Sequence, residues 1–155
     1  MKPVLYLRIA SILTLIHSIL HTIGGVFGKP VSGAAAMVAA TMRTRFEVFG
    51  VMRSYADFYR GMGLGITIAL TMDAAILWLL GSMAKSDAAR LRPILAVFLM
   101  GYLALALNSY AFFFSGPIIA ELLIVLCLGA AIFTARRADD HETRSVPSEL
   151  KSVRS

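Results

Sequence analysis

Four apolar runs, each about as long as a bilayer is thick, dominate the chain: about Val4 to Phe27, Gly61 to Met83, Pro93 to Phe114 and Pro117 to Ala135. A hydrocarbon core needs about 20 helical residues to cross. Inside it no water is available to pair open backbone groups, so each run must close its own hydrogen bonds as an α-helix. The expected fold class is therefore all-α, an integral membrane four-helix bundle over residues 1–135. Composition agrees: 58% of residues are hydrophobic, 15% are charged and the mean hydropathy is +0.76. A soluble domain carries about a quarter charged residues and could not hide this much apolar surface. One domain is all that 155 residues hold.

The runs have recognisable punctuation. Pro93 and Pro117 fall at first turns, where a helix tolerates proline, and Ser115, Gly116 and Pro117 make a very tight connection, so the third and fourth helices should form an antiparallel hairpin. The first run follows Lys2, as in a signal peptide, but its apolar region is longer than the usual h-region and is interrupted by His17 and His21. A retained helix is expected. Residues 136–155 mix charges of both signs with serine and one proline, which reads as a disordered cytoplasmic tail.

Residues 29–60 are the longest connection. Met42, Phe46, Phe49, Ala56 and Tyr59 recur at helical spacing, with Arg43 and Glu47 one turn apart, which predicts an interfacial amphipathic helix leading into the second span.

The net charge of +6 does not indicate nucleic acid, because the basic residues sit between apolar runs and form no stripe interleaved with aromatics. They report topology instead. Lys2, Arg8, Lys85, Arg90, Arg92, Arg136, Arg137, Arg144, Lys151 and Arg154, ten residues, lie on one side; Lys29, Arg43, Arg45, Arg53 and Arg60, five, lie on the other. Both termini are expected in the cytoplasm of a bacterial cell, the protein being multi-pass in its inner membrane. The lone cysteine, Cys127, lies in an apolar run, so neither a disulfide framework nor a CxxC site exists.

Polar residues that lipid should exclude are the candidates for chemistry. An ionisable group within a span costs about 2.5–3.5 kcal/mol on insertion scales and so faces a bundle interior or a wet cavity. His17, His21, Asp73 and Glu121 qualify, together with Asn108, whereas Arg8 can snorkel to the headgroups. From a helical rise of 1.5 Å, His21, Asn108 and Glu121 lie about 6–9 Å from the outer helix ends, and His17 and Asp73 about 15–18 Å. These depths predict an outer layer, a midplane pair of His17 with Asp73, and a polar ligand cavity toward the non-cytoplasmic side. Mutual hydrogen bonding that orients the helices is the competing reading. No metal is assigned and the cofactor is left unknown, since one chain lacks the donors for a bis-histidine haem.

A second constellation is Arg53, Asp57, Tyr59 and Arg60 at the mouth of the second span. Asp57 is one turn from each arginine, so an ion network there could meet an anion or a lipid headgroup. Ordinary headgroup-level anchoring by arginine and tyrosine is the structural alternative. Gly24 with Gly28, and Gly61 with Gly65, are GxxxG pairs that permit close helix approach. No GxSxG elbow, HExxH helix or Rossmann fingerprint is present.

The segments HTIGGVFGKP (His21 to Pro30) and RSYADFYRGMGL (Arg53 to Leu64) resemble a family of small bacterial four-helix membrane proteins of uncharacterised function. The resemblance covers most of the chain except its tail. It implies the architecture and draws attention to His21, Arg53, Asp57 and Tyr59, but it brings no activity. In size and helix count the chain is also similar to DoxX-like membrane proteins. Three functions are consistent with the residues. The leading one is a non-enzymatic accessory subunit or a binder of a small ligand or lipid. The others are a membrane enzyme or redox component using His17, His21, Asp73 and Glu121, and a small proton-coupled transporter. The lipid bilayer is the one partner implied; a homo-oligomer or a membrane-complex partner stays open.

Overall fold

The computed structural model describes residues 2–29 and 32–145, with backbone only over 136–145. Helix α1 (Lys2–Leu20) continues into a π-helical turn, His21–Val26. A short helix α2 (Gly33–Thr41), strands β1 (Arg45–Val48) and β2 (Val51–Ser54), and the long helix α3 (Tyr55–Met83) follow. A 3-10 turn at Ala89–Leu91 leads into α4 (Arg92–Phe112), and α5 (Ser115–Ser145) closes the described chain.

Four of these segments are long and apolar enough to cross a membrane: Lys2–Val26, Tyr55–Met83, Ala89–Phe112 and Ser115–Ala135. Only 22–33% of each is buried within the chain. The remaining apolar surface suits lipid rather than water. All-α architecture with four membrane-length helices is thus what the four apolar runs become, compatible with a multi-pass membrane protein.

Residues up to Thr14 and from Asp73 onward form one compact unit, and Leu15–Met72 form a second. In the first unit, buried positions recur at steps of three, four or seven residues, as one helix face requires. They are Leu95, Tyr102, Ala106 and Ser109 on α4, and Glu121, Ile124, Leu128, Ala131 and Ala135 on α5. Just two residues, Phe113 and Phe114, separate these helices, whose buried faces meet. Along α1 the buried stripe begins apolar, with Leu7 and Ala10, and then turns polar at Ser11, Thr14, His17 and Ser18.

Three expectations need correction. Residues 42–54 are not an amphipathic helix: β1 and β2 form an antiparallel hairpin pairing Arg45 with Ser54, Phe46 with Arg53, Glu47 with Met52 and Val48 with Val51. The turn residues Phe49 and Gly50 both have positive φ, 48° and 78°, as two-residue hairpin turns of the I′ kind require. Spacings of four and three between Met42, Phe46 and Phe49 mimic a helix. Burial in β1 nonetheless alternates with period two, placing Phe46 and Val48 inward. Before α3 begins at Tyr55, the helix among the described residues of this connection is α2, an apolar segment with no buried residue.

The second span begins at Tyr55 rather than Gly61, because a capping box at Ser54 starts the helix earlier. Finally, the helix expected to stop at Ala135 has helical backbone through Ser145. Extending a formed helix is easier than nucleating one, and arginine, alanine and glutamate there favour it. The rest of the expected disordered tail, 146–155, lies outside the described residues.

Candidate functional site

The β2–α3 junction is built around Ser54. Its backbone N–H and its Oγ both donate to Asp57 Oδ2 at 2.9 Å, while the Asp57 N–H donates back to Ser54 Oγ at 3.2 Å. This reciprocal pairing satisfies amide groups that a helix start leaves open. The first turns of α3 are pinned further by Phe46, whose ring lies 5.0 Å from Tyr55 and 6.5 Å from Phe58, and by the Ala56 N–H donating to the Met42 carbonyl at 2.9 Å.

One consequence concerns the neighbouring arginine. Arg53 makes a single hydrogen bond, from Nη1 to the Met52 carbonyl at 3.1 Å, and is exposed. The sole ion pair among the described residues is Arg90 with Asp87; of the expected network, Arg53 is within electrostatic reach of Asp57 but forms no ion pair with it, and neither does Arg60. Asp57 serves the cap instead. Arg53 and Asp57, with Phe58, Gly61 and Met62, line an open depression of about 360 Å³. Its lining is largely apolar and includes the Arg53 guanidinium, which keeps free donors, and the Asp57 carboxylate. Tyr59 and Arg60 are exposed on the same helix but do not line it.

The wall formed by Gly61 and Met62 leads directly to Gly63, where the π turn joins the site. His21 Nε2 lies 3.1 Å from the Gly63 carbonyl, an acceptor only, so Nε2 carries the hydrogen. Thr67 Oγ1 donates to the same carbonyl at 3.2 Å. Below it runs a ladder of hydroxyls. Thr22 Oγ1 donates to the Ser18 carbonyl at 2.7 Å and pairs with Thr67 Oγ1 at 2.8 Å. Ser18 Oγ donates to the Thr67 carbonyl at 3.1 Å and pairs with Thr71 Oγ1 at 2.9 Å. Val26, at the end of the π turn, packs so closely that a Cβ on Gly63 would sit 2.9 Å from its Cγ2. The close approach expected at Gly61 and Gly65 occurs at Gly63, since both outer glycines face open space. The end of the first span and the start of the second therefore meet here through His21, Val26 and Gly63. A π turn within a helix is a frequent mark of a functional site.

The other expected site residues are distributed differently. In the first unit Asp73 Oδ2 accepts from the Tyr102 hydroxyl at 3.3 Å, and that hydroxyl also lies 3.3 Å from Thr14 Oγ1. Glu121 Oε1 accepts from Ser109 Oγ at 2.9 Å. Asn108, expected beside Glu121, is exposed on the outer face of α4, one residue and about 100° of helix turn from the serine that takes that place. His17, in the second unit, is buried and its Nδ1 has no hydrogen-bond partner among the described residues. Arg8 lies 3.5 Å over the Trp78 ring and donates to Ser82 Oγ at 2.8 Å near the end of α3, with Gly81 leaving room for its side chain. Among the described residues no three His, Cys, Asp or Glu side chains converge as a metal-ligand set.

Sequence reasoning centred on ionisable groups missed the hydroxyls. Ser11, Thr14, Ser18 and Thr22 recur at three- and four-residue steps, Thr67 and Thr71 are one turn apart, and Ser54 stands three residues before Asp57. Each spacing is a readable signal. Comparison of the chain with protein-family models, with curated proteins and with solved structures finds no match.

Proposed function

We propose that the chain is a non-enzymatic multi-pass protein of the bacterial cytoplasmic membrane that binds the phosphate of an anionic lipid headgroup at the β2–α3 junction. Its spans form a four-helix bundle with both termini cytoplasmic, and it belongs with the small bacterial four-helix membrane proteins that its two signature segments resemble. One observation carries the reading: Arg53 stands exposed in a largely apolar depression and forms no ion pair among the described residues, while Asp57, which lines the same depression, is hydrogen-bonded to Ser54. A guanidinium with free paired donors fits a phosphate oxygen pair. Residues 29–60 hold five basic residues against two acidic ones, which favours an anionic leaflet surface. The fully exposed Phe49 and the apolar α2 would lie against acyl chains beside it.

Native mass spectrometry of the protein released from phosphatidylglycerol or phosphatidylcholine nanodiscs tests this. Wild-type protein should retain phosphatidylglycerol preferentially, and Arg53→Ala should lose at least half of that retention with unchanged thermal stability. Equal retention of both lipids, or undiminished retention by Arg53→Ala, contradicts the reading.

A further inference from the structure

Glu121 is a buried acid with one oxygen left over. It is only 4% exposed, and it sits on the α5 face that also buries Ile124, Leu128 and Ala131. It lies six residues after Ser115, about 9 Å into the span. Oε1 accepts the Ser109 hydroxyl, whereas Oε2 is buried with no hydrogen-bond partner among the described residues. Among the described residues it forms no ion pair. Arg92, at the far end of α4, is seventeen residues from Ser109, about 25 Å along the helix axis. Arg8 on α1 is held by Trp78 and Ser82. Tyr110 on α4 is 79% exposed, and Cys127 lies almost two turns further along α5. A second acid in the same unit, Asp73, is held by Tyr102, whose hydroxyl is within electrostatic reach of both carboxyls. Tyr102 and Ser109 share the buried face of α4, two turns or about 10 Å apart.

A carboxylate with one hydrogen bond, no ion pair and a hydrocarbon surround is too costly to keep ionised. We propose that Glu121 is an intramembrane proton-binding site: its carboxylate takes up one proton on Oε2 to become the neutral acid, Oε1 stays on Ser109, and the proton exchanges with the aqueous phase. The ligand is the proton itself, and the site is independent of headgroup binding at Arg53.

Infrared spectroscopy of the protein in phosphatidylcholine vesicles at neutral pH is the test. The wild type should show a protonated-carboxyl C=O band that is lost in Glu121→Gln, kept in Asp73→Asn, and shifted when H2O is replaced by D2O. Ser109→Ala keeps the carboxyl but removes the hydrogen bond to Oε1, so the same band should move to higher frequency. This variant serves if Glu121→Gln does not fold. A band unaffected by both variants, or one that fails to shift in D2O, overturns the proposal.

Discussion

Ser54 shows how one hydroxyl decides what its neighbours can do. It satisfies the start of α3 and engages Asp57, and Arg53 forms no ion pair among the described residues. Ser54→Ala should cost about 1 kcal/mol, the usual value of a helix N-cap, read as a lowered unfolding midpoint in detergent. Arg53→Ala should leave that midpoint unchanged. A loss as large as that of Ser54→Ala would mean that the guanidinium is part of the scaffold. Gly63 offers a second residue-level test. Gly63→Ala crowds Val26 Cγ2 and should destabilise by about 1–3 kcal/mol. The double variant Gly63→Ala with Val26→Ala should recover part of the loss, since the two substitutions share one contact. Strict additivity would show that the contact is not what limits the site.

At the scale of elements, the spans were legible in the sequence because twenty apolar residues in lipid have one backbone solution. The connection 29–60 was not, because short amphipathic segments fit more than one period: Phe46 and Phe49 are three apart, as in a helix, yet Phe46 and Val48 alternate as in a strand. Gly50 was the signal to weigh, since a glycine between Val48 and Val51 suits a hairpin turn better than a helix interior. The site was half legible for a related reason. Arg53 and Asp57 were found by charge and spacing, but Asp57 went to a hydroxyl rather than to an arginine, and the seam of Ser18, Thr22, Thr67 and Thr71 carried no charge to attract notice. The hairpin predicts its own substitutions. Gly50→Ala, at φ 78°, should destabilise by roughly 1 kcal/mol. Phe49→Asn should stabilise the turn, because asparagine accepts positive φ, while weakening vesicle binding through loss of an exposed aromatic ring. Vesicle binding by Phe49→Asn as tight as that of the wild type would remove Phe49 from the membrane contact.

For the whole molecule, hydrophobicity and charge divide the work. Membrane-length helices in which a third or less of the apolar window is buried within the chain present apolar faces that suit lipid, and the lysines and arginines between them are the basis of the proposed orientation. In the proposed topology, which rests on the ten-to-five distribution, residues 29–60 and the depression at Arg53 lie on the side opposite the termini. That arrangement is the central claim, since a headgroup site must lie at one leaflet and the cytoplasmic turn between α3 and α4 at the other. It is tested most directly by single cysteines at Phe49→Cys and Ser86→Cys in a Cys127→Ala background, with spheroplasts treated with a membrane-impermeant maleimide. The account predicts that the cysteine at position 49 reacts in intact spheroplasts and that the one at position 86 reacts only after permeabilisation; reaction at 86 with protection at 49, or reaction of both in intact spheroplasts, would contradict it.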